Sequence, residues 1–503
     1  MSRELNQAAV FIGVHLRTDG VHVVAATDQG DVVAEVSNPF IHKETQPAAN
    51  KNAYEESPDT WWDATYMAIG RLVQNLKPQL ASASQLKAIS VCCRAGDIIA
   101  LDRRGKPVMP AILLEDERGA EYVRNLNFHG REHCQRLGIN FHATDPLAKI
   151  AWAKDNFPDQ YENMLFAHKA DYILGQLKGM PDVTEFSFAV RTGCDLVEEC
   201  WPDWIDYDMY LGVRDRLPAL KHFGQKVGVV SAKAAAATGL PAGIDVVLGT
   251  VSHVATFLAS GARKVGDFHT MLDDHLSISG ISKKLILAAQ EQVKCHKLPD
   301  RTWTFTIESQ TGAAWIKNWF GAGAFDELEP QAEKLLPCTY LAYPNVTKGE
   351  TFPFISNGAE GFISPATDDR VVQFASCLQG TAMFERYCYQ KLSTLAALAG
   401  VSGDIYSGGE WSKSNFWMQC RADVMGKVNC RMKGKATAAF GAAMIAAMGS
   451  TFNNNIEEVA SAMVAVEGTF FPDLEKHVRY SELYQNFCAL MEDQGYSVTS
   501  KQA

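Results

Sequence analysis

Short apolar runs separated by polar turns predict a β-hairpin and a third strand at the start of the chain. Residues 10–14 and 21–26 are apolar runs, and Gln29-Gly30 forms a turn before a third run at residues 32–34. Runs of this length bounded by turn residues are typical of strands. A similar pattern at residues 86–102 predicts a strand, a break at residues 94–97 and a second strand.

Apolar residues at helical spacing predict several helices. Ser57 and Pro58 indicate a helix start, because serine is favoured at the N-cap and proline at the first helical position. An apolar stripe from Trp62 to Val73 follows, with Trp61 beside it, and we interpret both tryptophans as core packing. Related patterns predict further helices at residues 145–166 and 371–398, and the small-residue stretch at residues 436–448 predicts a buried helix.

Residues 243–280 organise the rest of the chain. A strand-like run at residues 246–248 ends at Gly249, and a second predicted hairpin turns at Asp273-Asp274-His275. We place a domain boundary near residue 260, which gives domains of residues 1–260 and 261–503. A chain of 503 residues suits two large domains, since single cores stop growing at about 250 to 300 residues.

Composition argues against several classes of partner. The net charge of −11 disfavours a nucleic-acid surface and an anionic membrane, and no apolar run approaches the ~20 residues that span a bilayer. The 12 cysteines are scattered without metal-binding spacing, and no signal peptide precedes the first strand. We therefore expect a cytoplasmic protein with reduced, mostly buried thiols.

The order of the motifs resembles the FGGY family of carbohydrate kinases. The opening hairpin is followed by an Asp116-x-Arg118 turn, the stretch at residues 184–192, the boundary near residue 260 and Gly408-Gly409. Residues 168–179, 432–448 and 456–470 also resemble helices of the family, and all these landmarks stay in register from about residue 9 to 490. The resemblance implies an α/β chain with two actin-like ATPase (ribonuclease H-like) domains, a sugar-binding side first and a nucleotide-binding side second, and a ligand cleft between them.

The resemblance also implies which residues would face ATP, and the chemistry there departs from the family. In the first phosphate loop His15 stands where an aspartate is expected and Arg17 where a glycine is expected, whereas Thr18 is retained. Imidazole is a poor ligand for Mg²⁺, which prefers oxygen. Asp19 is the nearest replacement as a metal ligand.

The positions implied for the catalytic base and the phosphate turn depart as well. The base position falls on Ser252, whose hydroxyl has no useful basicity near neutral pH, and His253 is the neighbour we nominate as a substitute. The phosphate turn falls on Asp273 and Asp274, where like charges oppose a phosphate group unless a cation intervenes.

The positions that the resemblance implies for the nucleotide match the residues of the family better. Gly312, Gly408, Gly409 and Asn415 match the residues that hold the nucleotide. A sugar or polyol pocket is expected near three polar side chains, namely Arg94, Asp97 and Asp116.

Three interpretations follow. The leading one is a sugar-kinase family protein whose phosphoryl transfer is impaired or lost, that is, a pseudokinase or sugar-binding regulator. The alternative is an active sugar or polyol kinase that uses ATP and Mg²⁺ with relocated residues. A third is a ligand-binding or scaffolding partner of an active kinase. We expect a small sugar or polyol as ligand and a homodimer as in the family, without nucleic acid or membrane partners.

Overall fold

The computed structural model describes residues 8–41, 52–206, 212–400, 402–434 and 436–497. The chain divides into two compact units. The first unit contains the described residues up to Ala259 together with His296–Arg301 and Ala436–Val464, and the second unit contains the rest. Both units combine a central sheet with helices.

Helices and strands are numbered in chain order. The strands are β1 (Val10–Leu16), β2 (Gly20–Thr27), β3 (Val32–Pro39), β4 (Glu55–Glu56), β5 (Leu86–Cys93), β6 (Ile98–Leu101), β7 (Ala111–Ile112), β8 (Leu165–His168), β9 (Val183–Glu185), β10 (Ala219–Lys221), β11 (Lys226–Val229), β12 (Asp245–Val247), β13 (Phe268–Leu272), β14 (Leu276–Ser282), β15 (Lys294–Lys297), β16 (Trp303–Ser309), β17 (Leu341–Tyr343), β18 (Phe362–Ser364), β19 (Ile405–Gly408), β20 (Asn429–Met432) and β21 (Val466–Phe470). The α-helices are α1 (Pro58–Leu76), α2 (Val123–His129), α3 (Arg131–Leu137), α4 (Pro146–Asn156), α5 (Pro158–Tyr161), α6 (Lys169–Lys178), α7 (Phe186–Ala189), α8 (Ala232–Thr238), α9 (Ser252–Leu258), α10 (Ala324–Ala332), α11 (Arg370–Ser393), α12 (Asn415–Met425), α13 (Ala438–Ser450), α14 (Ile456–Met463) and α15 (Leu474–Asp493).

The first unit is built on a six-stranded sheet in the order β11-β12-β5-β1-β2-β3. The predicted opening hairpin and third strand are confirmed, because β1 pairs antiparallel with β2, and β2 with β3. Strand β5 lies parallel to β1 on the other side, and β12 lies parallel to β5. The three parallel strands therefore end at the same edge of the sheet.

The second unit repeats this arrangement. Its sheet runs in the order β15-β16-β14-β13-β19-β20-β21. Strand β13 pairs antiparallel with β14 and parallel with β19, and β19 is parallel to β20. Strand β13 thus corresponds to β1 of the first unit, and the turn after β13 corresponds to the turn after β1.

Helix α13 packs against strands β1 and β5 and helix α9 of the first unit, although it comes late in the chain. Its residues from Ala438 to Met448 are all buried. The approach is close: a Cβ atom on Gly13 would lie 1.9 Å from the carbonyl oxygen of Ala439, and one on Gly441 would lie 1.9 Å from that of Ala255. Only glycine fits at these two contacts.

The predicted helices at the end of the chain need correction. The stretch predicted as one helix at residues 432–448 begins as strand β20, and helix α13 starts at Ala438. The predicted terminal helix at residues 456–470 is wrong, because α14 ends at Met463 and β21 follows; the last helix is α15. Predicted helix 371–398 is shorter at its end, since α11 stops at Ser393.

Helix α1 begins at Pro58 with Ser57 as its N-cap residue, as predicted, although the serine side chain makes no capping hydrogen bond. The buried face of the helix passes through Trp61, which is fully buried, whereas Trp62 is half-buried. Core packing is therefore confirmed for Trp61, and in the predicted stripe Ile69 and Val73 are buried whereas Trp62 and Tyr66 are half-buried.

No disulfide bond joins cysteines in the described residues, and most of the cysteines are buried, as expected. Within the described ranges, no helix is both long and apolar enough to cross a membrane.

Alanine substitutions at two helical glycines of the first unit, one in α13 and one in α1 as a control, test how closely α13 packs. Gly441→Ala places a methyl group against Ala255 and should lower the free energy of unfolding by about 2 kcal/mol or more. Gly70→Ala in α1, where the nearest atom would lie 3.7 Å away, should instead raise it by about 0.5 to 1 kcal/mol. Urea unfolding of both variants is the measurement, and equal effects would contradict the close contact.

Candidate functional site

The carboxyl ends of the parallel strands carry most of the residues predicted for function. In the first unit, β1 ends before Arg17 and Thr18, β5 ends before Arg94, and β12 precedes the segment that reaches Ser252. Ligands of open α/β sheets bind outside these ends of the strands. The sheet topology therefore gathers side chains that lie far apart in the sequence.

An ion pair forms within the turn that follows β1. The Arg17 guanidinium forms two contacts of 2.9 Å with the Asp19 carboxylate, and both side chains are exposed. His15 lies in β1 opposite His22. Burial, together with the nearby His22 and Arg17, lowers the pKa of His15 to about 4, so its ring is neutral at pH 7. Asp19, predicted as a metal ligand, is thus engaged by an arginine.

Arg94 and Asp97 line a small pocket of about 30 Å³ together with the turn after β1. Asp97 accepts a hydrogen bond of 2.8 Å from the Leu114 amide and pairs at 3.2 Å with the Lys169 ammonium. Arg94 pairs at 3.3 Å with Glu115, and both of these side chains are exposed. The structure therefore brings the two predicted substrate residues together.

Lys169 is a pocket residue that the sequence analysis missed. Its ammonium lies 4.1 Å from the centre of the Trp61 ring, and the Trp61 indole donates a hydrogen bond to Glu56, which also lines the pocket. The aromatic face and the Asp97 carboxylate together stabilise a buried cation. A lysine at a helix start carries no sequence signal for such a role.

Asp116, the third predicted substrate residue, is fully buried and does not line this pocket. Its carboxylate accepts hydrogen bonds from the Tyr54 amide at 2.7 Å and from the Arg118 side chain at 2.7 and 2.9 Å. Arg118 also pairs at 2.8 Å with Glu55. The Asp-x-Arg turn is therefore an internal ion pair that shapes the loop.

Lys149 of helix α4 forms hydrogen bonds to the main chain of two loops beside the pocket. Its fully buried ammonium donates to the carbonyl oxygens of Gly96 at 3.0 Å, Leu113 at 2.6 Å and Leu114 at 3.3 Å. Burial lowers the pKa of Lys149 to about 8. The sequence analysis did not single out this residue, because its partners are main-chain atoms more than 30 positions away.

Ser252 opens helix α9, and its carbonyl oxygen accepts a hydrogen bond from Thr256. The Nε2 atoms of His253 and His296 lie 2.7 Å apart. The neighbouring carboxyl group of Glu185 is fully buried and accepts a hydrogen bond of 2.9 Å from Thr250. Burial raises the pKa of Glu185 to about 8, so this carboxyl group is mostly protonated at pH 7.

In the second unit, the turn after β13 contains Asp273 and Asp274, as predicted. Asp273 accepts a hydrogen bond of 2.7 Å from the Glu410 amide. Gly312 packs beneath this turn, since a Cβ atom there would lie 2.5 Å from the Asp274 carbonyl oxygen. Gly409 has a φ of 93°, and a Cβ atom there would lie 2.3 Å from the carbonyl oxygen of Leu272. The structure therefore brings these four predicted residues together.

A pocket of about 700 Å³ opens beside this turn, a volume typical of small-molecule sites. Its lining carries four carboxylates, namely Asp273, Asp274, Glu308 and Glu410. Glu308 pairs with Lys294 at 2.8 Å and Glu410 with Lys413 at 2.6 Å. The two aspartates at the phosphate position have no such ion pair among the described residues, so the wall next to the turn is negative.

Gly408 and Asn415 lie on either side of this loop. Gly408 ends strand β19, above the buried ring of His269. Asn415 begins helix α12, and its side-chain oxygen accepts a hydrogen bond of 2.7 Å from Arg431. In the described residues, no three acidic, histidine or cysteine side chains converge as a metal site requires.

Two family models match most of the sequence. The N-terminal domain of the FGGY family of carbohydrate kinases matches residues 10–259, and the C-terminal domain of that family matches residues 253–450.

Individual relatives extend over nearly the whole chain. A xylulose kinase of Staphylococcus epidermidis is 24% identical and covers 96% of this chain and 96% of its own. An L-xylulose/3-keto-L-gulonate kinase of Escherichia coli is 26% identical over 81% of this chain and 82% of its own.

Solved structures agree on the fold. Xylulose kinase from Rhodospirillum rubrum has a TM-score of 0.78 at 22% identity, and covers 97% of this chain and 99% of that one. Glycerol kinase from Plasmodium falciparum with ADP has a TM-score of 0.77 at 16% identity, over 99% of each chain. The predicted two-domain α/β fold of the actin-like ATPase type is confirmed.

Lys149→Met tests whether the buried ammonium holds the pocket loops. Three buried carbonyl groups lose their donor, so the free energy of unfolding should fall by about 3 kcal/mol. Lys233→Met, at an exposed position of helix α8, is the control and should change it by less than about 0.5 kcal/mol. Urea unfolding compares them, and a Lys149→Met protein as stable as the control would refute this role.

Proposed function

Because this chain belongs to the FGGY family of carbohydrate kinases, we propose that it binds a small sugar or polyol and that its phosphoryl transfer from ATP is impaired or lost. One observation carries the proposal: the three positions that face phosphate in the family pattern all differ in charge or basicity. They are His15, Ser252 and the pair Asp273-Asp274. Residues 1–260 would serve the sugar and residues 261–503 the nucleotide.

The substitution at His15 removes a negative charge from the phosphate loop. A neutral imidazole replaces the carboxylate that would orient Mg²⁺, and hard Mg²⁺ prefers oxygen ligands. Asp19 would have to separate from Arg17, its partner at 2.9 Å, to bind a metal, and breaking this exposed pair costs little; the loss of the carboxylate at position 15 is therefore the main defect. This loop therefore fits a metal–nucleotide complex poorly.

The substitution at Ser252 removes the general base. Abstraction of a sugar hydroxyl proton needs a group whose pKa lies near the working pH, and a serine hydroxyl lies far above it. Glu185 is the carboxyl group that bonds to Thr250, but it is fully buried and mostly protonated at pH 7. A buried carboxyl group that is already protonated is a poor substitute for the missing base.

The acidic turn opposes the phosphates of a nucleotide. Asp273 and Asp274 face the pocket of the second unit, and like-charge repulsion there disfavours a triphosphate. Gly312, Gly408, Gly409 and Asn415 would remain available for the adenosine part. We infer that ATP and Mg²⁺ bind weakly if they bind at all.

The sugar side keeps the chemistry that binding requires. Arg94, Asp97 and Lys169 line one pocket and offer both donors and acceptors to hydroxyl groups. At about 30 Å³ that pocket holds about one water molecule, so a sugar must separate Arg94 from Glu115. Exposed ion pairs of this kind contribute little, so this separation costs little. The names of the relatives make a ketopentose such as xylulose the first candidate ligand.

The competing proposal is an active kinase with relocated residues, with His253 as base and Asp19, Asp273 or Asp274 on the metal. The contact of 2.7 Å between His253 and His296 is the observation in its favour, because a second imidazole can take up a proton from the first.

An ADP-release assay separates the two proposals. Pentoses, ketopentoses, hexoses and polyols are tested with Mg²⁺ and with Mn²⁺, beside a xylulose kinase relative as positive control. We expect no sugar-dependent ADP above background, and the same low background in His253→Ala. Sugar-dependent turnover that disappears in His253→Ala would establish the active kinase instead.

Sugar binding is tested by thermal unfolding with the same compounds and no ATP. A ligand at 100 times its Kd adds about 2.7 kcal/mol, which should raise the midpoint by several degrees. Arg94→Ala should abolish the shift, and Arg104→Ala, an exposed arginine in the next turn, should retain it. The sugar-binding proposal fails if no compound shifts the midpoint, or if Arg94→Ala responds like the wild type.

A further inference from the structure

A second cavity of the second unit has a different chemistry from the sites described above. Its volume is about 470 Å³, and it is lined by the last turns of α11, the C-terminal end of α12, one face of α15 and the start of β13. None of its lining residues is among those predicted for sugar or nucleotide. Its size is within the usual range for small-molecule sites.

Two cationic side chains line this cavity, and the described residues of its lining include no aspartate or glutamate. Arg386 donates hydrogen bonds to the Val424 carbonyl oxygen at 2.9 Å and to the Ser481 hydroxyl at 3.2 Å, and its guanidinium lies 4.2 Å from the centre of the Tyr484 ring. The Lys427 ammonium donates to the Ser402 hydroxyl at 3.3 Å.

Neither cation has an ion pair with a carboxylate within 4.0 Å among the described residues; Asp404 acts on Lys427 only from a longer distance. Burial lowers the pKa of both Arg386 and Lys427. Burying part of a charge without a counter-charge is unfavourable, so two such groups on one cavity are unusual.

The same unit shows how a buried arginine is normally compensated. Arg421 is almost fully buried, and its guanidinium bonds to both oxygens of Glu385 at 2.7 and 2.9 Å. The chain therefore supplies a carboxylate where the guanidinium is closed off from solvent. At Arg386 and Lys427 the charge faces an open cavity instead, where a bound anion can reach it.

The remaining walls suit the organic part of a ligand. Phe268, Tyr389 and Leu392 supply apolar surface, and Gln485 supplies an amide beside the cations. A phosphate monoester carries a charge of nearly −2 at pH 7, which two cations match, whereas a monocarboxylate would leave one unpaired. Arginine and lysine are also the usual partners of phosphate.

We propose that this cavity is a binding site for a small organic phosphate, whose phosphoryl group pairs with Arg386 and Lys427 and whose organic part contacts Phe268 and Tyr389. The site is independent of the function proposed above, since it shares no residue with the sugar or nucleotide positions. It would exist in an active kinase and in a pseudokinase alike.

The test is calorimetric titration of the full chain with inorganic phosphate, ribose 5-phosphate and adenosine monophosphate, with ribose and adenosine as uncharged counterparts. At least one phosphate compound should bind, and its uncharged counterpart should bind at least about tenfold more weakly because it lacks the charge-assisted contacts. Affinity should also fall as salt is raised. Failure of every phosphate compound to bind would overturn the proposal.

Substitutions of the two cavity cations test whether the phosphate compound binds in this cavity. Lys427→Gln loses the hydrogen bond to Ser402 and the contact of 5.7 Å between the ammonium and the centre of the Phe268 ring; it should still fold, yet weaken binding at least about tenfold. Arg386→Gln should weaken it further, but it also removes the contact to Val424, so its stability is measured in parallel. Arg370→Gln, an exposed arginine at the other end of α11, is the matched control. Unchanged affinity in Lys427→Gln and in a folded Arg386→Gln would place the phosphate elsewhere and refute the site.

Discussion

The close contact of helix α13 with strand β1 is the constraint on which the first unit depends. Backbone meets backbone there because Gly13 carries no side chain, and Gly441 allows the same close approach of α13 to Ala255 of helix α9; a Cβ atom at either position would overlap a carbonyl oxygen. The Cys92 thiol also donates to the Ala438 carbonyl oxygen at 3.2 Å, so α13 touches β5 as well. The sheet whose strands lead into the pocket loops therefore packs against a helix that begins only after position 435.

Both units use one sheet topology, and their difference lies in the turns. The turn after β1 pairs Arg17 with Asp19, whereas the corresponding turn after β13 presents Asp273 and Asp274 to a pocket. The two units thus share one scaffold and place different charges in the turns that follow their first strands. A shared fold does not by itself fix the chemistry at these turns.

Internal ion pairs explain much of the chemistry of the first unit. Lys169 compensates Asp97, and Arg118 compensates Asp116, both within 3.2 Å. Lys149 donates to three carbonyl oxygens among the described residues, and burial lowers its pKa. Both lysines therefore contact the segment that follows Arg94, whose own side chain is exposed.

Local pattern was enough to predict the hairpins, the strand at residues 86–93 and the turn at Asp273-Asp274, because short apolar runs and turn residues act over a few positions. The sequence also located Arg94 and Asp97 in one pocket, through family motifs. It did not reveal that Asp116 is closed off by Arg118, since burial of a carboxylate depends on what packs over it.

Local pattern and family motifs were sufficient to predict most of the strands and helices and their order along the chain. Tertiary structure alone decided that α13 belongs to the first unit, that residues 466–470 form an edge strand beside β20, and that Lys149 and Lys169 support the pocket. Each of these depends on contacts between positions far apart in the chain. Such contacts leave no periodicity in the sequence, because the partner of each residue is set by the fold and not by its neighbours.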